Sequence, residues 1–131
     1  MEKAQESRFP YMPFYVDDWL SSDTIAAFTL EQQAAYLLLL LRQWKAPNGQ
    51  IPKDEAVLAS YTKLGPRWRK VGRPIVQQCF VERAEGFVNL KLRGIWLETK
   101  SKSAKAKASA DRRWEIERQA KLADDNGSKG K

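Results

Sequence analysis

Eight consecutive apolar residues, Ala34-Ala35-Tyr36-Leu37-Leu38-Leu39-Leu40-Leu41, constrain the fold of this chain more than any other feature. Their segment has a defined start, because Thr29 followed by Gln32 is a capping-box pattern, in which each side chain satisfies the other residue's free backbone amide. It also has a defined end, since Pro47-Asn48-Gly49 beyond Trp44 cannot continue a helix. A helix that is apolar nearly all round is either central to the core or keeps a second apolar face for a partner. The run is far shorter than the roughly 20 residues a bilayer span needs, and no signal-peptide pattern precedes it. A soluble, cytosolic protein without a membrane partner is therefore expected.

The remaining segments are read from their periodicity and punctuation. The opening eight residues are polar and expected to fray, whereas Phe9-Pro10-Tyr11-Met12-Pro13-Phe14-Tyr15 should form an extended strap on the core. Trp19, Leu20, Ile25 and Phe28 suggest short helical turns. After the long helix, Ile51-Pro52 suits a very short edge strand. Asp54 and Glu55 favour the first turn of a second helix, with Val57, Leu58, Tyr61 and Leu64 as its stripe and Gly65 as its stop. In a third helical segment Leu64, Trp68, Val71 and Ile75 recur at helical spacing, while Lys63, Arg67 and Lys70 share another face. Pro74 lacks an amide donor and biases Arg73 away from helical dihedrals, so a break or kink is expected at Gly72-Arg73-Pro74. Cys79–Arg83 and Phe87–Lys91 read as a β-hairpin about Ala84-Glu85-Gly86. From about Leu92 the pattern turns helical again, and KSKSAKAKASA (residues 100–110) offers no core face.

At 131 residues one domain plus a tail is expected. Helix, short strand, helix, helix and hairpin is the order of a winged helix, with the third helix as recognition element and the hairpin as wing. The expected fold is thus mainly α with a small β-hairpin, winged-helix-like over residues 9–99. Residues 100–131 form a basic C-terminal arm, helix-prone or disordered.

Charge points to a polyanion. Residues 1–62 hold five basic and eight acidic side chains, and residues 63–131 hold eighteen basic and eight acidic ones. Such segregation is expected where one side of a protein meets nucleic acid. Lys63, Arg67, Arg69, Lys70 and Arg73 form an acid-free window on the element a winged helix presents to the major groove, so they are candidate DNA contacts. Lys100, Lys102, Lys105, Lys107, Arg112 and Arg113, interleaved with Ser and Ala, are a second set, opposed only by Asp111. The hairpin tip is a weaker candidate because Glu82 and Glu85 offset Arg83. Trp114 is suited to stacking on bases or docking on a protein.

An enzymatic reading has little to work with. The chain has no histidine and one cysteine, Cys79, so zinc sites and histidine-dependent nucleophiles are not expected. Asp17 with Asp18 and Asp54 with Glu55 are the carboxylate pairs with the chemistry to hold magnesium, but both read better as helix-start residues. Neither a catalytic site nor a cofactor is expected, and Cys79 between apolar neighbours reads as a small buried hydrophobe.

PFYVDDWL (13–20), Phe28-Thr29-Leu30-Glu31, AAYLLLLLRQW (34–44), GQIP (49–52), RPIVQQCFVE (73–82) and FVNLKL (87–92) together resemble the YdaU-like prophage proteins. The resemblance implies a winged-helix-like domain in phage or prophage DNA replication, in the cytoplasm of a bacterial host, with no catalytic residues to carry over. Family members often extend further, so any function of such an extension is expected to be absent here or supplied by another protein. The expected activity is non-catalytic DNA binding. The alternatives are an adaptor that recruits a replication partner such as a helicase or loader, and a transcriptional regulator.

Overall fold

Helix signals dominate the sequence, and the computed structural model is accordingly mainly helical, with one small antiparallel sheet. It describes residues 9–129, with side-chain surroundings through residue 123; the opening eight residues, expected to fray, lie outside the described residues. Residues 9–15 are the extended strap, with the Phe9 ring 6.1 Å from Trp44 and the Trp44 Nε1–H donating to the Phe9 carbonyl at 3.2 Å. Two short helices follow, α1 (Val16–Ser21) and α2 (Asp23–Ala26). Trp19 of α1 stacks on Tyr36, ring centroids 5.6 Å apart.

Helix α3 (Leu30–Lys45) starts at the capping box, both of whose hydrogen bonds measure 3.1 Å. Such a cap is worth about 1 kcal/mol. One side of this helix is central to the core, as expected, and the other leaves apolar residues exposed. Ala35, Leu39, Leu40, Gln43 and Trp44 are buried, while Leu30 is 83% and Leu41 42% exposed, with exposed Ala34 between them.

Helix α4 (Glu55–Tyr61) is capped by Asp54, whose carboxylate accepts from the Ala56 amide at 2.9 Å. Its end differs from the expected glycine stop. Lys63 takes the left-handed conformation (φ 64°), the Lys63 amide donates to Ser60 and the Leu64 amide to Ala59. That is a Schellman ending, built on a lysine two residues before Gly65.

The third segment changes pitch as it proceeds. A 3-10 turn (Gly65–Arg67) leads into a π turn (Trp68–Gly72) and then α5 (Arg73–Cys79). The expected break at Pro74 does not occur, and Arg73 is fully helical at φ −53°, ψ −43°. The irregularity is instead a change of pitch that ends within the Gly72-Arg73-Pro74 window, where the Arg73 amide donates to the Trp68 carbonyl. This wider turn relieves the clash that a proline ring makes with the carbonyl four residues back in a regular helix.

Strands β1 (Val81–Glu82) and β2 (Phe87–Val88) pair antiparallel, Val81 with Val88 and Glu82 with Phe87. They are shorter than expected because Cys79 closes α5 and Asn89 already caps the next helix. Ile51 exchanges two backbone hydrogen bonds with Phe87, at 2.9 and 2.8 Å, which adds a one-residue third strand. Gly86 permits that approach, since a Cβ there would sit 2.3 Å from the Ile51 carbonyl oxygen. The core beneath consists of Leu39, Ile51, Leu58 and Ile75, with Trp44, Trp68, Val76, Phe80, Val88 and Leu92 around them.

Helix α6 (Leu90–Lys129) is the longest element. The chain divides into two compact units between Ile95 and Trp96, inside this helix. In the first unit Asn89 joins three elements: its Oδ1 accepts from the Leu92 amide at 2.9 Å, and its Nδ2 donates to Tyr36 Oη (3.1 Å) and the Cys79 carbonyl (3.0 Å). Gln43, 1% exposed, donates to the Asn89 carbonyl and accepts from its amide. In the second unit the residues from Lys100 to Ala123 are exposed, apart from half-buried Ala110. Among the described residues no helix is long and apolar enough to cross a membrane.

Candidate nucleic-acid interface

The five cations of the 63–73 window divide into two groups. The Arg67 guanidinium forms two hydrogen bonds with the Glu31 carboxylate in the first turn of α3. Arg73 grips Glu55 in the first turn of α4 in the same way, Nε at 2.8 Å and Nη2 at 2.6 Å. Glu55 also accepts from the Trp68 indole N–H at 2.8 Å, so one carboxylate joins α4 to both the π turn and α5. The Arg73 and Trp68 donors hold the Glu55 carboxyl below the ordinary glutamate range, and Glu55 raises Arg73 in turn. These arginines act as struts between helices as well as surface charges.

Lys63, Arg69 and Lys70 are exposed and form no ion pair with any described residue. They carry the unneutralised charge of this element. Gln77 and Gln78 are exposed on the following α5 and had no place among the sequence candidates. An amide of this kind can bond bidentately to adenine in the major groove. Their signal was the polar pair inside an apolar helix stretch, which the nearby run of cations overshadowed.

The hairpin carries little net charge at its root, where Glu82 pairs with Lys53 at 2.9 Å. Arg83, Ala84 and Glu85 at its tip are exposed.

Along α6, Lys100, Lys102, Lys105, Lys107, Arg112 and Arg113 are all exposed. The Lys100 ammonium lies 5.2 Å from the centre of the Trp96 ring. Trp114 is 72% exposed, and beside it Glu115 pairs with Arg118 and accepts from Gln119 at 3.1 Å.

Three of the four carboxylates considered for metal chemistry have other partners, and the fourth, Asp17, is exposed in the first turn of α1. Asp54 is a helix cap, Glu55 a strut, and Asp18 pairs with Lys91 at 2.6 Å. Among the described residues no group of three or more His, Cys, Asp or Glu is placed to hold a metal ion. A cavity of about 160 Å³ beneath the strap is lined by apolar side chains such as Phe14, Trp19, Ile25, Leu40 and Leu92, with Asp18, Ser22 and Lys91 also on its wall. Cys79 is half-buried rather than fully buried, and that burial pushes its thiol up, away from the reactive thiolate.

A family model described as "Protein of unknown function (DUF1376)" matches residues 10–94, more than half of the chain, and the chain belongs to that family. The match covers the strap, the helices through α5 and the hairpin, and ends before the basic stretch of α6. No curated protein and no solved structure matches.

Proposed function

We propose that this member of the DUF1376 family is a winged-helix DNA-binding domain that acts without catalysis in phage or prophage DNA replication, in the bacterial cytoplasm. One observation carries the reading: the order α3, Ile51, α4, Gly65–Cys79 and hairpin is closed by the Ile51–Phe87 bridge. This order supports a helix-strand-helix-helix-wing reading, in which the segment after α4 is the one offered to the major groove. Lys63, Arg69 and Lys70 on and beside that segment supply phosphate contacts, with Gln77 and Gln78 as candidates for base edges. Arg67 and Arg73 set its attitude through Glu31 and Glu55. The replication context rests on the likeness to the YdaU-like proteins.

The test is a pair of double variants read by fluorescence anisotropy on duplex DNA across a salt series. Arg69→Ala with Lys70→Ala should shallow the slope of log affinity against log salt by about two units and leave thermal stability unchanged. Arg67→Ala with Arg73→Ala should lower stability. If the Arg69/Lys70 variant binds as the parent does, the segment is not the DNA-contacting element.

The exposed apolar face of α3, from Leu30 through Ala34 to Leu41, favours a second reading. Exposed leucines in helical register are the surface an adaptor would offer to a helicase or loader. In that case DNA affinity is weak and Leu30→Lys abolishes partner capture. Transcriptional control is a variant of the first reading, distinguished by a preference for one duplex sequence.

A further inference from the structure

The cations of the C-terminal arm have an order that composition does not reveal. Because α6 is helical from Leu90 to Lys129, its side chains have fixed directions about one axis. At about 100° per residue, Lys100 and Lys107 fall along one side of the helix. Lys102, Lys105, Arg112 and Arg113 fall along roughly the opposite side. Every other residue from Ser101 to Ala110 is Ser or Ala. Ser101, Ala104 and Ala108 occupy one face between the two cationic rows, and Ser103, Ala106 and Ala110 occupy the other. The six cations are exposed and form no ion pair with a described residue. Asp111, beside the Lys100 row, is the one acid in the stretch.

Positive charge on two opposite sides of a slender helix suits a particular partner. A flat acidic surface or a single strand would engage one row and leave the other in water. A groove with a phosphate wall on each side engages both. The major groove of B-DNA is about 12 Å wide, enough for a helix whose floor-facing side chains are no larger than serine. The deep, narrow major groove of duplex RNA is closed to it. We propose that residues 100–113 enter the major groove of duplex DNA as a preformed helix, a mode that rests on the DNA-binding reading above. Each cationic row reaches one phosphate wall, and one Ser/Ala face lies toward the base edges. Since the helix exists before binding, little ordering entropy is lost on docking.

The experiment separates a helix from a flexible polycation at constant charge. Ala106→Pro in the full chain keeps all six cations and breaks the helix at an exposed position, which circular dichroism verifies. Dissociation constants are measured for a duplex and for a single strand of the same sequence at one salt concentration. The expected result is at least a tenfold loss on the duplex with no change on the single strand. A second pair keeps the helix and adds neutral bulk: Ala104→Gln with Ala108→Gln, against Ala106→Gln with Ala110→Gln. One pair should weaken duplex binding and the other should not. Equal duplex affinity of the Ala106→Pro chain and the parent, or an equal loss on both DNA forms, overturns the proposal, as does tolerance of both glutamine pairs. If the parent itself fails to bind duplex, the DNA-binding reading fails with it. If the parent binds and only Ala106→Pro is silent, the groove-bound helix alone is wrong.

Discussion

At the scale of single residues, small side chains and paired charges set the geometry around the candidate interface. Gly72 lies against Trp68, and a Cβ there would come within 2.2 Å of the indole and 2.9 Å of Leu64. Because Trp68 is 4% exposed and anchored to Glu55, it has nowhere to move. Gly72→Ala should therefore cost on the order of 1–3 kcal/mol in chemical denaturation, and an unchanged midpoint would mean the π turn is not packed as described. Glu55 gives a pH signature. Its carboxyl is held below the ordinary value of 4.5 by Arg73 and Trp68, so its contribution to stability is present above that value. It is lost as pH falls further, through the lowered folded-state pKa. Melting curves of Glu55→Gln across this acid range should show a shallower loss on acidification than the parent, and parallel curves would remove Glu55 from that role. Neither feature was legible from the sequence. Arg67 and Glu31 lie 36 residues apart and Arg73 and Glu55 lie 18 apart, so a window free of acids said nothing of the acids that other helices bring to it.

At the scale of elements, what could be read was local. The capping box of α3, the start of α4 at Asp54 and Glu55 and the Gly86 turn each depend on neighbouring residues and turned up where the sequence put them, while the Ile51 strand, signalled by Ile51-Pro52, is completed by distant Phe87. The misplaced features needed information from elsewhere. The hairpin strands are short because Asn89 is recruited as the cap of α6, and that recruitment depends on Gln43, 46 residues away. Asn89→Ala leaves the Leu92 amide and the Cys79 carbonyl without their side-chain partner, and should destabilise the protein by about 2–3 kcal/mol. A loss under about 0.5 kcal/mol would show that water replaces the side chain. The arm behaves oppositely. Since residues 100–123 are exposed almost throughout, truncation after Thr99 should leave the melting temperature nearly unchanged, and a large drop would contradict the description of an unpacked helix.

At the scale of the whole molecule, the segregation of charge toward residues 63–131 is the property that both proposals interpret. It resides in two places, the segment from Lys63 to Arg73 and the arm from Lys100 to Arg113. The first is partly neutralised by Glu31 and Glu55, whereas the second contains one acid, Asp111, and its cations form no ion pair with a described residue. Charge displayed in this way matters to function only if phosphates release counterions on binding. The most direct measurement is the affinity of the unmodified chain for duplex DNA as a function of salt. Phosphate contact by Lys63, Arg69 and Lys70 together with the six cations of the arm gives a slope of log affinity against log salt of roughly −8. No measurable duplex binding at low salt, or an affinity that hardly changes with salt, would contradict the account.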